Sequence, residues 1–196
     1  MDSNFFALIS RMRYIARWGL MRNALPENIQ EHSHMVAVLA HALGVIRRDI
    51  FHQPCDVNAL ATAALYHDAS EILTGDLPTP IKYHNAEIMS AYHAVEDLAV
   101  QKLLGMLPPE LRATYADVLS EDKDGDIYPL VKAADKLSAY IKCIEERKAG
   151  NNEFLSAELQ TRAALEASPL PEVQYFLEHF IPAFERDLDE LGAIGQ

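Results

Sequence analysis

The sequence predicts an all-α fold, and two observations support that prediction. Apolar residues recur at steps of three and four along most of the 196 residues, which is the spacing of one face of an α-helix. Alternating runs of β-branched residues, typical of half-buried strands, are nearly absent. We therefore expect a compact, bundle-like fold of about seven to eight helices, with residues 1–196 forming a single domain.

Breakers and caps divide the chain into the predicted helices. The segment from Arg17 to Asn28 has no clean period and is interpreted as a loop with an ordered Trp18. Asp56 is a candidate N-cap for an alanine-rich helix. The segment Thr74–Pro80 is predicted to be a polar loop, because two prolines fall within three residues. The helices are expected at about residues 3–16, 30–48, 57–72, 84–106, 109–119, 128–149, 153–167 and 171–190, with an acidic turn at 120–125.

Composition and charge narrow the function classes. The formal net charge of -12 argues against a nucleic-acid-binding surface, which is normally basic. No run of about 18 apolar residues exists, so we expect no membrane span. Arg11 and Arg13 interrupt any apolar signal segment. Cys55 and Cys143 match no metal or redox spacing, and we expect both to be reduced in a cytoplasmic protein.

Four polar residues lie on or beside helix faces that otherwise look buried: His32, His67, Asp68 and Asp135. A helix-packing salt bridge or a capped histidine explains any one of them, since a buried unpaired carboxylate is costly. Taken together, two imidazoles and two carboxylates on three helices match the mixed ligand set of a divalent transition metal such as Mn, Co, Fe or Zn. We therefore predict one metal site formed by these four side chains.

The adjacent pair His67-Asp68 restricts where such an ion lies. Neighbouring side chains on a helix diverge by about 100°, so both reach one ion only where the helix ends. The breakers after Ile72 predict that end. Glu71 falls on the same side as the pair and is the candidate for general acid–base catalysis. The alternative is an exposed helix-terminal glutamate.

The spacing of His32, then His67-Asp68, then Asp135 resembles the H…HD…D pattern of the HD-domain superfamily of metal-dependent phosphohydrolases. Further segments resemble the bacterial HD-domain 5′-deoxynucleotidases more narrowly, and the resemblance covers nearly the whole chain, with a metal-binding core at about residues 28–142. These segments are Arg17-Trp18, Glu31-His32-Ser33, and residues 66–71, 73–83 and 150–154.

The resemblance implies an activity and its requirements. The substrates would be deoxyribonucleoside 5′-monophosphates, hydrolysed to the deoxynucleoside and inorganic phosphate, with ribonucleotides disfavoured. A divalent cation would be required, with Co²⁺ favoured in vitro and Mn²⁺ or another transition metal as alternatives. The fold would be all-α and the protein a homodimer. The rival functions are another HD-type phosphohydrolase, acting on a phosphodiester or a nucleotide regulator, and a non-catalytic nucleotide-binding module.

By matching position, the resemblance also implies residue roles. The metal ligands would be His32, His67, Asp68 and Asp135, and Glu71 would be catalytic. Arg17 would contact the phosphate, while Trp18 and Asp76 would shape the sugar pocket. Thr74, Thr79 and Lys82 of the polar loop are also predicted substrate contacts. The simpler alternatives are that Trp18 anchors the core and that Arg17 only pairs with an acid.

Overall fold

The fold of the computed structural model is helical, and it is described for residues 3–82, 84–120 and 125–192. Within these ranges no strand forms, and one isolated antiparallel bridge joins Ala16 to Asn28. The predicted all-α class is therefore confirmed. The α-helices are α1 (Phe5–Ile9), α2 (Ile29–Val45), α3 (Val57–Tyr66), α4 (Glu71–Thr74), α5 (Thr79–Lys82), α6 (Ala86–Gly105), α7 (Pro109–Leu119), α8 (Tyr128–Lys148), α9 (Leu155–Glu166), α10 (Pro171–His179) and α11 (Ile181–Phe184).

Side-chain N-caps define the starts of α2 and α3. Asn28 accepts a hydrogen bond from the Glu31 amide, and the Glu31 side chain accepts one from the Asn28 amide, which is a capping box at the start of α2. Asp56 caps α3 by accepting from two backbone amides, as predicted. Helix α2 continues as a π-helical turn at Ile46–Ile50.

Several predicted boundaries are wrong. The first helix was expected to reach residue 16, but α1 tightens into a 3₁₀ turn at Ser10–Tyr14 and the chain is extended from Ile15. The last helix ends at His179 instead of continuing to residue 190, because Pro182 lacks an amide hydrogen and restricts the residue before it. The count of helical segments exceeds the prediction because the short helices α4, α5 and α11 were not expected.

The predicted polar loop is shorter than expected. It narrows to residues 75–78, because α5 begins at Thr79 and accommodates Pro80 in its first turn. The acidic turn predicted at 120–125 lies mostly outside the described residues, since 121–124 are not among them.

The main core joins α2, α3 and α8. Their apolar faces contribute fully buried side chains, among them Val36, Leu43, Leu60, Ala64, Leu130 and Leu137. Gly44 lets α2 and α3 approach closely, because a Cβ built there would lie 2.9 Å from Leu60 Cδ2. This packing places the start of α2, the end of α3 and the middle of α8 side by side. None of the described helices is long and apolar enough to cross a membrane.

Candidate metal centre and active site

His32 lies fully buried in the first turn of α2, where it meets α8. Its Nδ1 is 3.2 Å from Ser138 Oγ. Its Nε2 points the other way and lies 3.1 Å from Asp135 Oδ1 and 3.5 Å from Asp68 Oδ2. The nearby His34 is exposed, as its helix face predicts. The structure thus brings one imidazole and two carboxylates together from three separate parts of the chain.

His67 supplies the second imidazole from the end of α3. It follows Tyr66, the last residue of that helix, and the chain turns before α4 begins at Glu71, so the predicted continuous helix to about residue 72 is wrong while the predicted helix end beside the His-Asp pair is found. His67 Nδ1 lies 2.7 Å from the Ala64 carbonyl oxygen. A carbonyl only accepts, so Nδ1 carries the proton and Nε2 has a free lone pair. That Nε2 is 3.1 Å from Asp68 Oδ2.

The donor atoms fit a divalent transition metal. The Nε2 atoms of His32 and His67 are buried and have no hydrogen-bond partner among the described residues. One donor atom from each of His32, His67 and Asp135 falls within 4.8 Å of the others. In both histidines the opposite ring nitrogen already has a partner, which is how metal-binding imidazoles are oriented in proteins. Two imidazole nitrogens facing carboxylate oxygens form the set that such ions prefer.

The electrostatics of the cluster keep both carboxylates ionised. Burial raises the pKa of Asp68, but the adjacent His67 ring, with His32 and the Arg17 guanidinium, lowers it far below its ordinary range. Burial raises the pKa of Asp135 as well, but the attraction of the nearby His32 and His67 rings lowers it below its ordinary value overall. Anionic oxygens are therefore available to a cation at neutral pH.

Glu71 opens α4 and is buried, at 6% exposure. Within the described part of the chain, its Oε2 has no hydrogen-bond partner. Burial raises the pKa of Glu71 to about 10, and the charges of Asp68 and Asp76 add to this, while those of Arg17 and Lys82 oppose it. Glu71 is thus held protonated at neutral pH beside the cluster, which suits a proton donor. The alternative of an exposed helix-terminal glutamate is wrong.

Arg17 approaches the cluster from the opposite side. Its Nη1 donates to Asp68 Oδ2 at 3.4 Å, and its Nε donates to Glu27 Oε2 at 3.1 Å. The backbone amide of Trp18 donates to Asp76 Oδ2 at 3.2 Å. The Arg17-Trp18 loop and the residue-75–78 loop therefore meet beside the cluster. Trp18 reaches this position with a positive φ of 59°, a conformation that a bulky residue rarely adopts.

The indole of Trp18 is tied on two sides. Its Nε1 donates to Glu27 Oε2 at 3.0 Å, and its ring packs edge-on against Phe154 at a centroid distance of 5.2 Å. Both simpler alternatives thus describe part of the geometry, since Trp18 packs against a core residue and Arg17 pairs with acids. Sequence reasoning missed Glu27, because an acid in a loop without periodicity carries no signal beyond its place before the Asn28 cap.

The remaining predicted substrate contacts lie farther along the chain. Lys82 donates to Glu96 Oε1 at 2.9 Å and lies 4.5 Å above the Tyr92 ring, so α6 already neutralises its charge. The Thr74 hydroxyl donates to the Gly75 carbonyl at 3.1 Å. Thr79 is the first residue of α5, and its side chain is outside the described part of the structure.

A second side chain that sequence reasoning missed holds the Arg17–Asn28 loop through hydrogen bonds. Glu146 of α8 is fully buried and accepts hydrogen bonds from the amides of Ala24 and Leu25. It also accepts from Asn151 Nδ2 at 2.7 Å and from the buried Lys142. Lys142 and Glu146 are four residues apart, so in sequence they resemble an ordinary surface pair of a helix.

Comparison with known proteins agrees with this site. Residues 4–184 match the 5′-deoxynucleotidase YfbR-like family. The 5′-deoxynucleotidases YfbR of Shigella boydii and of Escherichia coli are each 50% identical over 192 residues, which cover 97% of this chain and 96% of the relative. The crystal structure of an HD-domain phosphohydrolase from Listeria innocua superposes with a TM-score of 0.82 at 25% identity, covering 94% of this chain and 90% of that one.

A more distant structure shows the same fold. The HD phosphohydrolase DatZ of cyanophage S-2L, solved with dA and one catalytic Zn²⁺ ion, is 24% identical with a TM-score of 0.59. It covers 97% of this chain and 99% of its own. The resemblance inferred from the sequence motifs is confirmed by the family match and the two enterobacterial relatives. This chain belongs to the 5′-deoxynucleotidase YfbR-like family of HD-domain phosphohydrolases.

Proposed function

We propose that this protein hydrolyses deoxyribonucleoside 5′-monophosphates at the His-Asp cluster, with a divalent ion held by His32, His67, Asp68 and Asp135. The observation that carries the proposal is the pair of buried, unpartnered imidazole nitrogens facing two ionised carboxylates. Membership of the 5′-deoxynucleotidase family supports the substrate class. A bound divalent ion supplies charge neutralisation for the phosphate and lowers the pKa of a coordinated water.

The side chains of this protein supply the other parts of the reaction. The Arg17 guanidinium uses Nε for Glu27 and directs Nη1 toward the cluster, so it is placed to bind phosphate oxygens. The 5′-alkoxide is a poor leaving group and needs a proton. Glu71 is protonated at neutral pH and lies beside Asp68. It donates this proton to the 5′-oxygen as water attacks the phosphorus and the bond between phosphorus and the 5′-oxygen breaks.

Trp18 and Asp76 form the sugar end of the proposed pocket. Asp76 Oδ2 accepts from the Trp18 amide, which leaves Oδ1 to accept a hydrogen bond from the 3′-hydroxyl. The indole occupies the volume that a 2′-hydroxyl would need. Ribose is thus excluded by size, and the predicted preference is for deoxyribonucleotides.

The test is phosphate release from dAMP, AMP, a nucleoside 3′-monophosphate and a cyclic nucleotide, each with and without added Co²⁺. We expect metal-dependent release from dAMP, weaker release from AMP, and none from the other two substrates. Equal activity on dAMP and AMP would contradict the sugar pocket. Activity confined to the cyclic nucleotide would favour the phosphodiesterase alternative, and binding without turnover would favour the non-catalytic module.

The same proposal includes the preferred ion, the oligomeric state, the location, the partners and the domain organisation of the enzyme. It includes Co²⁺ as the preferred ion in vitro, a homodimer, a cytoplasmic location, no nucleic-acid partner, and one HD domain over residues 1–196. Family resemblance supports these features, the free Cys55 and Cys143 accord with a reducing compartment, and the net charge of -12 disfavours nucleic acid. Reconstitution of chelated protein with Co²⁺, Mn²⁺ or Zn²⁺ tests the ion, and light scattering after gel filtration tests the dimer.

A further inference from the structure

We infer that Glu27 is the positioning residue that couples phosphate binding to sugar discrimination, because it holds Arg17 and Trp18 through one carboxylate oxygen. This inference rests on the proposed function, in which those two side chains contact the phosphate and the sugar. Glu27 itself contacts neither.

The side-chain geometry is a shared acceptor. Glu27 Oε2 accepts from Arg17 Nε at 3.1 Å and from Trp18 Nε1 at 3.0 Å. The side chains of Arg17 and Glu27 are only 12% and 16% exposed, so water competes poorly for these bonds. A single oxygen with two donors fixes the guanidinium and the indole relative to each other, not only to the protein.

Backbone hydrogen bonds also fix the position of Glu27. The Arg17 amide donates to the Glu27 carbonyl at 3.0 Å, and the Ile29 amide donates to the Ile15 carbonyl at 2.9 Å. These bonds flank the Ala16–Asn28 bridge. Glu27 therefore lies directly across from Arg17 and immediately before the cap of α2. Its carboxylate has a fixed position relative to the helix that carries His32.

Glu27 differs from the two other acids that bond to Arg17 or Trp18 among the described contacts. Asp68 accepts from the Arg17 side chain, and Asp76 accepts from the Trp18 backbone. Glu27 contacts both side chains. Without it, the described hydrogen bonds and ring contacts would leave the indole its edge contact with Phe154, and would leave the Arg17 side chain a 3.4 Å bond to Asp68. Rejection of a 2′-hydroxyl by size needs an indole that cannot move aside, so discrimination depends on this oxygen.

The experiment compares Glu27→Ala and Glu27→Gln with the wild type. We expect Glu27→Ala to raise KM for dAMP about ten-fold and to lower the dAMP/AMP ratio of kcat/KM about ten-fold, with a smaller change in kcat. Glu27→Gln keeps the shape and an acceptor oxygen, so it should recover part of both. Metal content should stay at the wild-type value. Trp18 is the only tryptophan, so its fluorescence anisotropy should fall in Glu27→Ala.

The matched control is Glu153→Gln, the same chemical change at another carboxylate that bonds to this loop. Glu153 accepts from the Arg22 amide at 3.1 Å and pairs with the exposed Arg22 side chain, without a bond to Arg17 or Trp18 among the described contacts. We expect wild-type discrimination and anisotropy from it. Equal loss of discrimination in Glu153→Gln would overturn the inference in favour of general loop order.

The same experiment distinguishes failure of this inference from failure of the proposed function. Unchanged discrimination and anisotropy in Glu27→Ala would overturn the inference while wild-type activity on dAMP leaves the proposed function intact. If the wild type releases no phosphate from dAMP, the proposed function fails, and with it the coupling of phosphate to sugar. The anisotropy of Glu27→Ala would then still report whether Glu27 orients the indole.

Discussion

At the residue scale, the site consists of polar atoms that the fold buries without partners. His32 Nε2, His67 Nε2 and Glu71 Oε2 all lie in this state within one cluster. Each unsatisfied buried polar group costs about 1–3 kcal/mol, so three together are a substantial destabilisation. An ion and a bound nucleotide would satisfy these atoms, which explains why the fold tolerates them here.

Glu71→Gln tests the role of the proton donor. The amide keeps the size of the side chain but cannot transfer a proton to the 5′-oxygen. We expect phosphate release from dAMP to fall by about 10²–10⁴-fold, with metal content and dAMP binding close to those of the wild type. Phosphate release, elemental analysis and calorimetric titration measure the three quantities. Normal turnover by this variant would exclude Glu71 from catalysis.

The same substitution has a pH-dependent effect on the stability of the metal-free protein. The pKa of Glu71 is about 10 in the folded state and 4.5 as its ordinary value. Between these pH values the folded state holds a proton that the unfolded chain has lost, so the contribution of Glu71 to stability falls as pH rises. Glu71→Gln should therefore be more stable than wild type in urea at pH 8, and the difference should disappear below about pH 4.5. An equal difference at both pH values would contradict the raised pKa.

At the element scale, α8 does two separate tasks. Its middle carries Asp135 into the His-Asp cluster, and its last turns carry Lys142 and Glu146, which bond to the loop that holds Arg17. Glu146 is fully buried, and although burial raises its pKa, hydrogen bonds from Lys142, Leu25, Asn151 and Ala24 lower it to about 2. The carboxylate stays charged and bonded at neutral pH.

Glu146→Ala should be strongly destabilising. It leaves the buried Lys142 ammonium without its carboxylate and frees the amides of Ala24 and Leu25. Breaking a buried pair by removing one partner costs about 3–5 kcal/mol, which lowers Tm by about 6–20 °C in a protein of this size. The neighbouring exposed Glu145 provides the control, since Glu145→Ala should shift Tm little. Similar melting of the two variants would show that the buried pair does not hold the loop.

The contact between α2 and α3 gives a second prediction at this scale. A Cβ at Gly44 would lie 2.9 Å from Leu60 Cδ2 and 3.0 Å from Val57 Cγ1. Gly44→Val should force the helices apart and cost about 1–3 kcal/mol by overpacking. Gly105→Ala in α6 should be neutral or stabilising, because a Cβ built there meets no described side chain or other helix within 4 Å. Chemical denaturation measures both, and metal affinity should fall in Gly44→Val alone, since α2 and α3 position His32 and His67.

At the scale of the whole molecule, the parts predicted from sequence are those where a residue type conflicts with its helix face. His32, His67 and Asp135 interrupt apolar helix faces, which predicted a shared polar site for them. The structure brings these three side chains together. The adjacency of His67 and Asp68 also predicted that these two residues lie at a helix end, although α3 ends at Tyr66, before the breakers after Ile72 that were expected to end it. Periodicity gave the helices because burial of one face decides their position.

Other features depended on partners far away in sequence. Glu146 binds the Ala24 amide across 122 positions, and no local pattern indicates that contact. Glu27 acts through a backbone bridge that closes a loop, and loops have no period to read. The positive φ of Trp18 is set by its bond to Asp76 and the bonds around it. The overextended last helix was a different error, because Pro182 was visible in the sequence.

The charge of the whole molecule leads to the last prediction. The chain has a net charge of -12, and Asp68, Asp76 and Asp135 lie near one another at the site. A cation there would offset their repulsion and cross-link α2, the end of α3 and α8. Binding at about 100 times Kd stabilises a folded protein by about 2.7 kcal/mol, so metal-loaded protein should melt about 5–10 °C above chelated protein.

Asp135→Asn separates this effect from general charge screening. The variant should lose most of the metal-induced rise in Tm while its circular dichroism stays helical, because Asp135 is a partly exposed side chain on a helix whose apolar face is intact. Added NaCl should raise the Tm of chelated wild type slightly, through screening of the net charge, and should do the same in the variant. A metal-induced rise of equal size in both proteins would place the ion elsewhere, since a cross-link through Asp135 cannot survive its loss.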